Sequence, residues 1–171
     1  LIRNFYCIFR VVIGLAVDEG QDLASQVGLV RSKSLTTTDR TVRLALNVTP
    51  VGHNSEDTFS DHVALSSDDI FETAAECRAR GLRALDVPSN YYADLAGRYG
   101  LAPELVARLS EYSILFERDD LGDFFHFYTQ HVGSLSFEVV QRIGKYDAYG
   151  ATNAFVRLAS QRATDVRRPV T

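Results

Sequence analysis

Between Thr41 and Val48 the side chains alternate, with Val42, Leu44, Leu46 and Val48 set against Thr41, Arg43, Ala45 and Asn47. A period of two predicts a half-buried strand, and the run 27–36, joined to it through Thr37-Thr38-Asp39-Arg40, predicts its hairpin partner. Ahead of them Phe5, Ile8, Phe9, Val12 and Leu15 recur at helical spacing, with Gly14 suited to the end of that helix and a polar link over 18–26 after it. Residues 49–60, with Pro50, Gly52, Asn54 and Ser55, read as a loop. A short strand over 61–66 puts His62, Ala64 and Ser66 on one face and Val63 and Leu65 on the other. Ser67-Asp68-Asp69 then offers capping residues for a helix ended by Gly81, and 82–87 reads as a strand closed by Pro88. The pattern turns helical again over 90–113, with Pro103 at a first helical position. Three strands follow over 114–118, 123–129 and 135–143, then a helix over 153–161 and a tail.

From residue 61 the order is strand, helix, strand, helical insertion and three strands. The expectation is an α+β fold of paired βαβββ modules. Residues 1–60 form a first module, incomplete at its N-terminus, with its linking loop; 61–161 form the second, and 162–171 the tail. Modules of this kind pair their sheets into a cup that can hold a metal ion.

Composition narrows the partners. The formal charge of −4 and a pI near 5.5, with no basic stripe, argue against nucleic acid. No apolar run approaches the ~20 residues of a membrane-spanning helix, and Arg3, Asn4 and Arg10 break the apolar start against a secretory signal. Cys7 and Cys77 are far apart and read as buried free thiols. The sequence holds no Met, which predicts a piece of a longer chain.

Three apolar stretches each enclose one metal-ligand residue type in their interior: Asp61-His62-Val63-Ala64-Leu65, Phe124-Phe125-His126-Phe127-Tyr128 and Ser136-Phe137-Glu138-Val139-Val140. An unpaired carboxylate among such residues costs several kcal/mol, so Glu138 with His62 points to a metal, the rival being a buried ion pair with an Arg. His126 fits an acid, a base, a substrate contact or a further ligand, because its pKa suits proton transfer near neutrality. Gln141 and Asn47 fit hydrogen bonding to substrate oxygens, and Arg142 fits a carboxylate. For His126, Gln141, Asn47 and Arg142 a plain packing or surface role stands beside these readings.

The stretches around 61–70, 87–95, 125–129, 137–142 and 149–153 occur in the order found in the carboxyl-terminal half of 4-hydroxyphenylpyruvate dioxygenase, of the vicinal oxygen chelate superfamily, which this chain resembles over about 60–161. The resemblance implies Fe(II), or another divalent metal, held by two His and one Glu, with His62 as the second histidine and Glu138 as the carboxylate. The first histidine of that set would lie ahead of Leu1. At His126 the dioxygenases carry a substrate-contacting Gln. His there, with 28–32, 43–48 and 153–161, is closer to the dioxygenase-like domain of fused 3-dehydroshikimate dehydratases. Membership there implies a barrel domain preceding this chain, a cytoplasmic homo-oligomer and a small aromatic or 2-oxo acid substrate. An active Fe(II) dioxygenase and a metal-free interaction module are the alternatives.

Overall fold

The computed structural model describes residues 7–17, 21–25, 28–48, 61–132 and 135–166. They fall into two compact units, Leu1–Phe59 and Ser60–Thr171.

The first unit is a sheet centred on β3 (Gly28–Thr36). One edge of β3 pairs antiparallel with β1 (Ala16–Val17) and β2 (Gln21–Ser25), and the other with β4 (Arg43–Val48). The expected hairpin is therefore present, in the register Leu35 to Leu44, and Arg40 takes a left-handed φ of 58° in its turn. Two expectations change. The helix over 1–15 is one π-helical turn, Ile8–Val12, with Ile8, Val11 and Val12 exposed, while residues 1–6 lie outside the described set. The polar stretch expected as a link contains β2, because a hairpin partner beginning at Gly28 supplies its hydrogen bonds whatever its side chains. The loop expected over 49–60, including His53, lies outside the described residues. Cys7 is exposed rather than buried.

The second unit is a four-stranded sheet in the order β5-β8-β7-β6, from β5 (Asp61–Ser66), β6 (Leu115–Arg118), β7 (Gly122–Tyr128) and β8 (Leu135–Gly144). β5 runs parallel to β8 and the other pairs are antiparallel. The parallel step needs a crossover, and α1 (Ile70–Ala79), α2 (Ser89–Tyr99) and α3 (Pro103–Glu111) lie within it. Asp69 Oδ1 caps α1 by accepting from Phe71 N and Glu72 N at 2.9 and 3.0 Å, Gly100 ends α2 in the left-handed conformation, and Pro103 opens α3. Ile70, Ala74, Leu95 and Leu109 from these helices join Phe116, Phe125, Phe127 and Val139 of the sheet in the main core. The strand expected over 82–87 is reduced to one bridge, Ala84 to Thr129. A 3-10 turn, Ala151–Asn153, leads into α4 (Ala154–Val166), which continues past Gln161 into the expected tail. Among the described residues no helix is long and apolar enough to cross a membrane.

Candidate metal centre

Register alone brings the site together. In the antiparallel pair β7–β8, Tyr128 lies opposite Glu138 and His126 opposite Val140; in the parallel pair β5–β8, Ala64 lies beside Glu138 and His62 beside Ser136. Paired residues project to one face, and residues two apart share it. His62, His126, Tyr128 and Glu138 therefore converge on one side of the sheet. Gln141, an odd number of positions from Glu138, belongs to the other side. There its Oε1 accepts from Ile70 N at 3.2 Å and its Nε2 donates to the Asp68 carbonyl, so it fastens β8 to the start of α1.

Glu138 is 5% exposed, and its carboxylate is shared between two imidazoles. His126 Nδ1 lies 2.7 Å from Oε1 and His62 Nε2 lies 3.3 Å from Oε2. Burial pushes the Glu138 carboxyl up, but the hydrogen bonds from His126 and His62 outweigh it and hold the group well below the usual carboxylate range. Tyr128 stands edge-on to both rings, at 5.6 Å from His62 and 5.5 Å from His126. Burial, followed by the neighbouring Glu138 charge, pushes its phenol well up, so it stays neutral.

His126 is only 1% exposed. Its Nε2 lies 3.1 Å from Asn153 Nδ2, so both ring nitrogens are engaged. Asn153 Nδ2 also reaches Phe116 O at 3.2 Å, and Asn153 Oδ1 accepts from Tyr91 Oη at 3.0 Å. β6 is an edge strand, and these two side chains satisfy the backbone groups that Phe116 turns away from the sheet. Above them the segment before α4 is clasped down. Glu117 accepts from Tyr146 at 2.9 Å and from Thr152, Tyr146 stacks on Phe124 at 4.9 Å, and Gly150 N donates to Tyr146 Oη. Arg142 lies over the Phe124 ring at 4.8 Å and donates to Ala148 O. From α4, Arg157 is buried, lies over the Tyr128 ring at 5.3 Å and reaches Gln161 Oε1 at 3.3 Å.

As a donor set, His62 Nε2 and Glu138 Oε2 fit two positions around a divalent cation, since an imidazole nitrogen and an ionised carboxylate already converge there. His126 has no nitrogen left to give. Accordingly, among the described residues no group of three His, Cys, Asp or Glu is arranged to hold a metal, and a third donor is not part of that set. A recess of about 420 Å³ lined by Ala74, Cys77, Arg78, Glu111, Tyr112 and Gln130 lies elsewhere, and none of His62, His126, Glu138 or Gln141 lines it. The Asn47 side chain lies outside the described residues. Sequence reasoning missed Asn153 and Arg157 as parts of the site. The only available signal was their position in the motif-bearing stretch 149–161, where Arg157 interrupts the apolar neighbours Val156 and Leu158.

No family model matches the chain. Among curated proteins it is similar to the 3-dehydroshikimate dehydratase of Pseudomonas putida, 34% identical over 99% of this chain and 29% of that one. It is also similar to the 4-hydroxyphenylpyruvate dioxygenase of Daucus carota, 37% identical over 48% of this chain and 21% of the relative. A solved xylose isomerase-like TIM barrel/4-hydroxyphenylpyruvate dioxygenase fusion protein superposes with a TM-score of 0.80 at 32% identity, over 94% of this chain and 27% of that one. The chain thus spans under a third of the length of these relatives. Strand order, the order of the motifs and these likenesses agree: the chain is a 4-hydroxyphenylpyruvate dioxygenase-like domain of the vicinal oxygen chelate superfamily, akin to that of the 3-dehydroshikimate dehydratases.

Proposed function

We propose that this chain is the metal-binding, dioxygenase-like part of a 3-dehydroshikimate dehydratase in which a barrel domain ahead of it carries the dehydration. The likeness to the Pseudomonas putida dehydratase along 99% of the chain, and to a protein described as a barrel fused to a dioxygenase, supports the covalent barrel partner. The observation that carries the metal reading is the convergence of His62 Nε2 and the buried Glu138 Oε2 on one sheet face. These two residues would hold Fe(II) or another divalent cation, with a third donor from outside the described residues. The metal would supply a Lewis-acid centre able to chelate a small aromatic or 2-oxo acid. Around it, His126 holds the carboxylate, Tyr128 packs against both imidazoles, and Arg157 places a cation beside Tyr128.

Metal analysis of the purified protein tests the proposal. Bound iron, or iron restored to the metal-free protein, is expected to fall at least tenfold in Glu138→Ala and in His62→Ala. Equal iron in wild type and Glu138→Ala overturns the metal reading. A parent gene with no barrel upstream, or a parent protein that leaves 3-dehydroshikimate unchanged, overturns the dehydratase reading.

A further inference from the structure

We infer that the inner face of α4, where it meets Tyr128, binds the carboxylate of a small, singly charged organic acid. Arg157 takes the carboxylate, and the Ser160 hydroxyl is a further donor to the same ligand. The ligand is the small acid of the proposed function, and only the chelation of its other end by a metal rests on that reading.

Arg157 is a buried charge without a counter-charge. It is 5% exposed, its Nη1 donates to the neutral amide of Gln161 at 3.3 Å, and its Cζ lies 5.3 Å from the centre of the Tyr128 ring. Among the described residues no carboxylate pairs with it, and no second acceptor meets its remaining N–H groups. An aromatic face and one amide offset only part of what a guanidinium loses on leaving water. Its place in the helix adds to the cost. Arg157 stands in the first turn of α4, near the positive end of the helix dipole, and no acidic residue in that turn offsets it.

Two buried hydroxyls near it are also unmatched. Ser160, one turn after Arg157 on the same side of α4, is 3% exposed, and its Oγ has no hydrogen-bond partner among the described residues. A helical serine or threonine ordinarily turns its hydroxyl back to the carbonyl four residues earlier. Thr164 does so, donating to Ser160 O at 3.0 Å, but Ser160 does not. On the sheet, Ser136 pairs with His62, shares the face of Glu138 and is fully buried, and its Oγ likewise has no partner among the described residues. His62 is the open side of that face, its side chain 29% exposed against 7% for Glu138. Buried donors on both the helix and the sheet, with no acceptor of their own, suit an anionic ligand entering from there. The flat fork of a guanidinium matches the two oxygens of a carboxylate. With a single guanidinium, and the Glu138 carboxylate opposite Tyr128 in the β7–β8 register, one negative charge fits better than the greater charge of phosphate.

Calorimetric titration of the metal-free protein with sodium benzoate is the test. Wild type should bind benzoate one to one with a Kd below about 1 mM. Benzamide, which keeps the ring and loses the charge, should bind about tenfold more weakly or not at all. No benzoate binding, or equal binding of benzamide, overturns the inference. Arg157→Gln should weaken benzoate by about tenfold or more while leaving the near-ultraviolet circular dichroism unchanged; an affinity equal to wild type overturns the role of Arg157. If Arg157→Gln fails to fold, Arg157→Lys decides the point. It keeps the charge and loses the fork, so benzoate should bind more weakly, and an unchanged affinity overturns the fit of guanidinium to carboxylate. Ser160→Ala should weaken benzoate by about threefold to tenfold, and no change there removes Ser160 from the site. Inorganic phosphate at the same concentration should leave the benzoate isotherm unaltered; competition by phosphate overturns the choice of a carboxylate. Because these titrations contain no metal, the two readings fail separately. A protein that binds iron through Glu138 but not benzoate keeps the metal centre and loses the Arg157 site, and one that binds benzoate but no iron does the reverse.

Discussion

Gly150 shows how narrowly single residues set this site. Its φ of +67° is left-handed, and a Cβ there would lie 2.7 Å from Phe124 Cε1 as well as against His126. Gly100 has a similar φ of +59° but nothing within 4 Å of the same added atom. Gly100→Ala should therefore cost only the backbone term, about 1–2 kcal/mol. Gly150→Ala adds overpacking of about 1–3 kcal/mol. Urea denaturation of the two variants checks this, and equal losses would mean the aromatic stack yields freely around position 150. At this scale legibility depended on the range of the partner. His62 and Glu138 stood out because one ionisable group interrupts an apolar strand. Asn153 did not, because its meaning lies in Phe116 and His126, far away in the chain and invisible to any local pattern.

Among the elements, the join between β8 and α1 separates structure from chemistry. In the sequence Gln141 fitted either a substrate contact or a plain surface role; alternation along β8 puts it on the face of the sheet away from Glu138, where it holds the Asp68 carbonyl and Ile70 N. Gln141→Ala should lower stability by about 1 kcal/mol and leave metal content unchanged; a matching loss of metal would put Gln141 back in the site. Asp69→Ala, which removes two capping bonds from the same helix, should cost about 1 kcal/mol as well. Elements whose residues carry their own signal were readable: Asp69 as a cap, Pro103 as a helix start, and the strands around Phe125 and Val139. β2 was not, because Gln21–Ser25 becomes a strand only through the neighbour that pairs with it. The stretch 82–87 failed the other way. It is apolar enough for a strand, yet only Ala84 finds a bridging partner.

Over the whole molecule, burial is unevenly spread, and pH exposes it. Besides Tyr128, three tyrosines of the second unit, Tyr91, Tyr92 and Tyr146, have phenols pushed well up by burial. Each ionises more readily unfolded, near the ordinary value of 10.0, than folded. Their stabilisation is thus fully present below about pH 10 and is lost progressively as pH rises beyond it. The urea midpoint should hold level up to about pH 9 and then fall, with phenolate absorbance from the buried group appearing only as the protein unfolds. Tyr92 isolates the effect, because its hydroxyl is buried with no hydrogen-bond partner among the described residues. Tyr92→Phe removes an unsatisfied polar atom while keeping the ring. It should match or exceed wild-type stability at neutral pH, and its midpoint should fall less steeply above pH 10 because one fewer buried phenol must ionise. An alkaline slope identical to that of wild type would mean that Tyr92 reaches water in the folded protein.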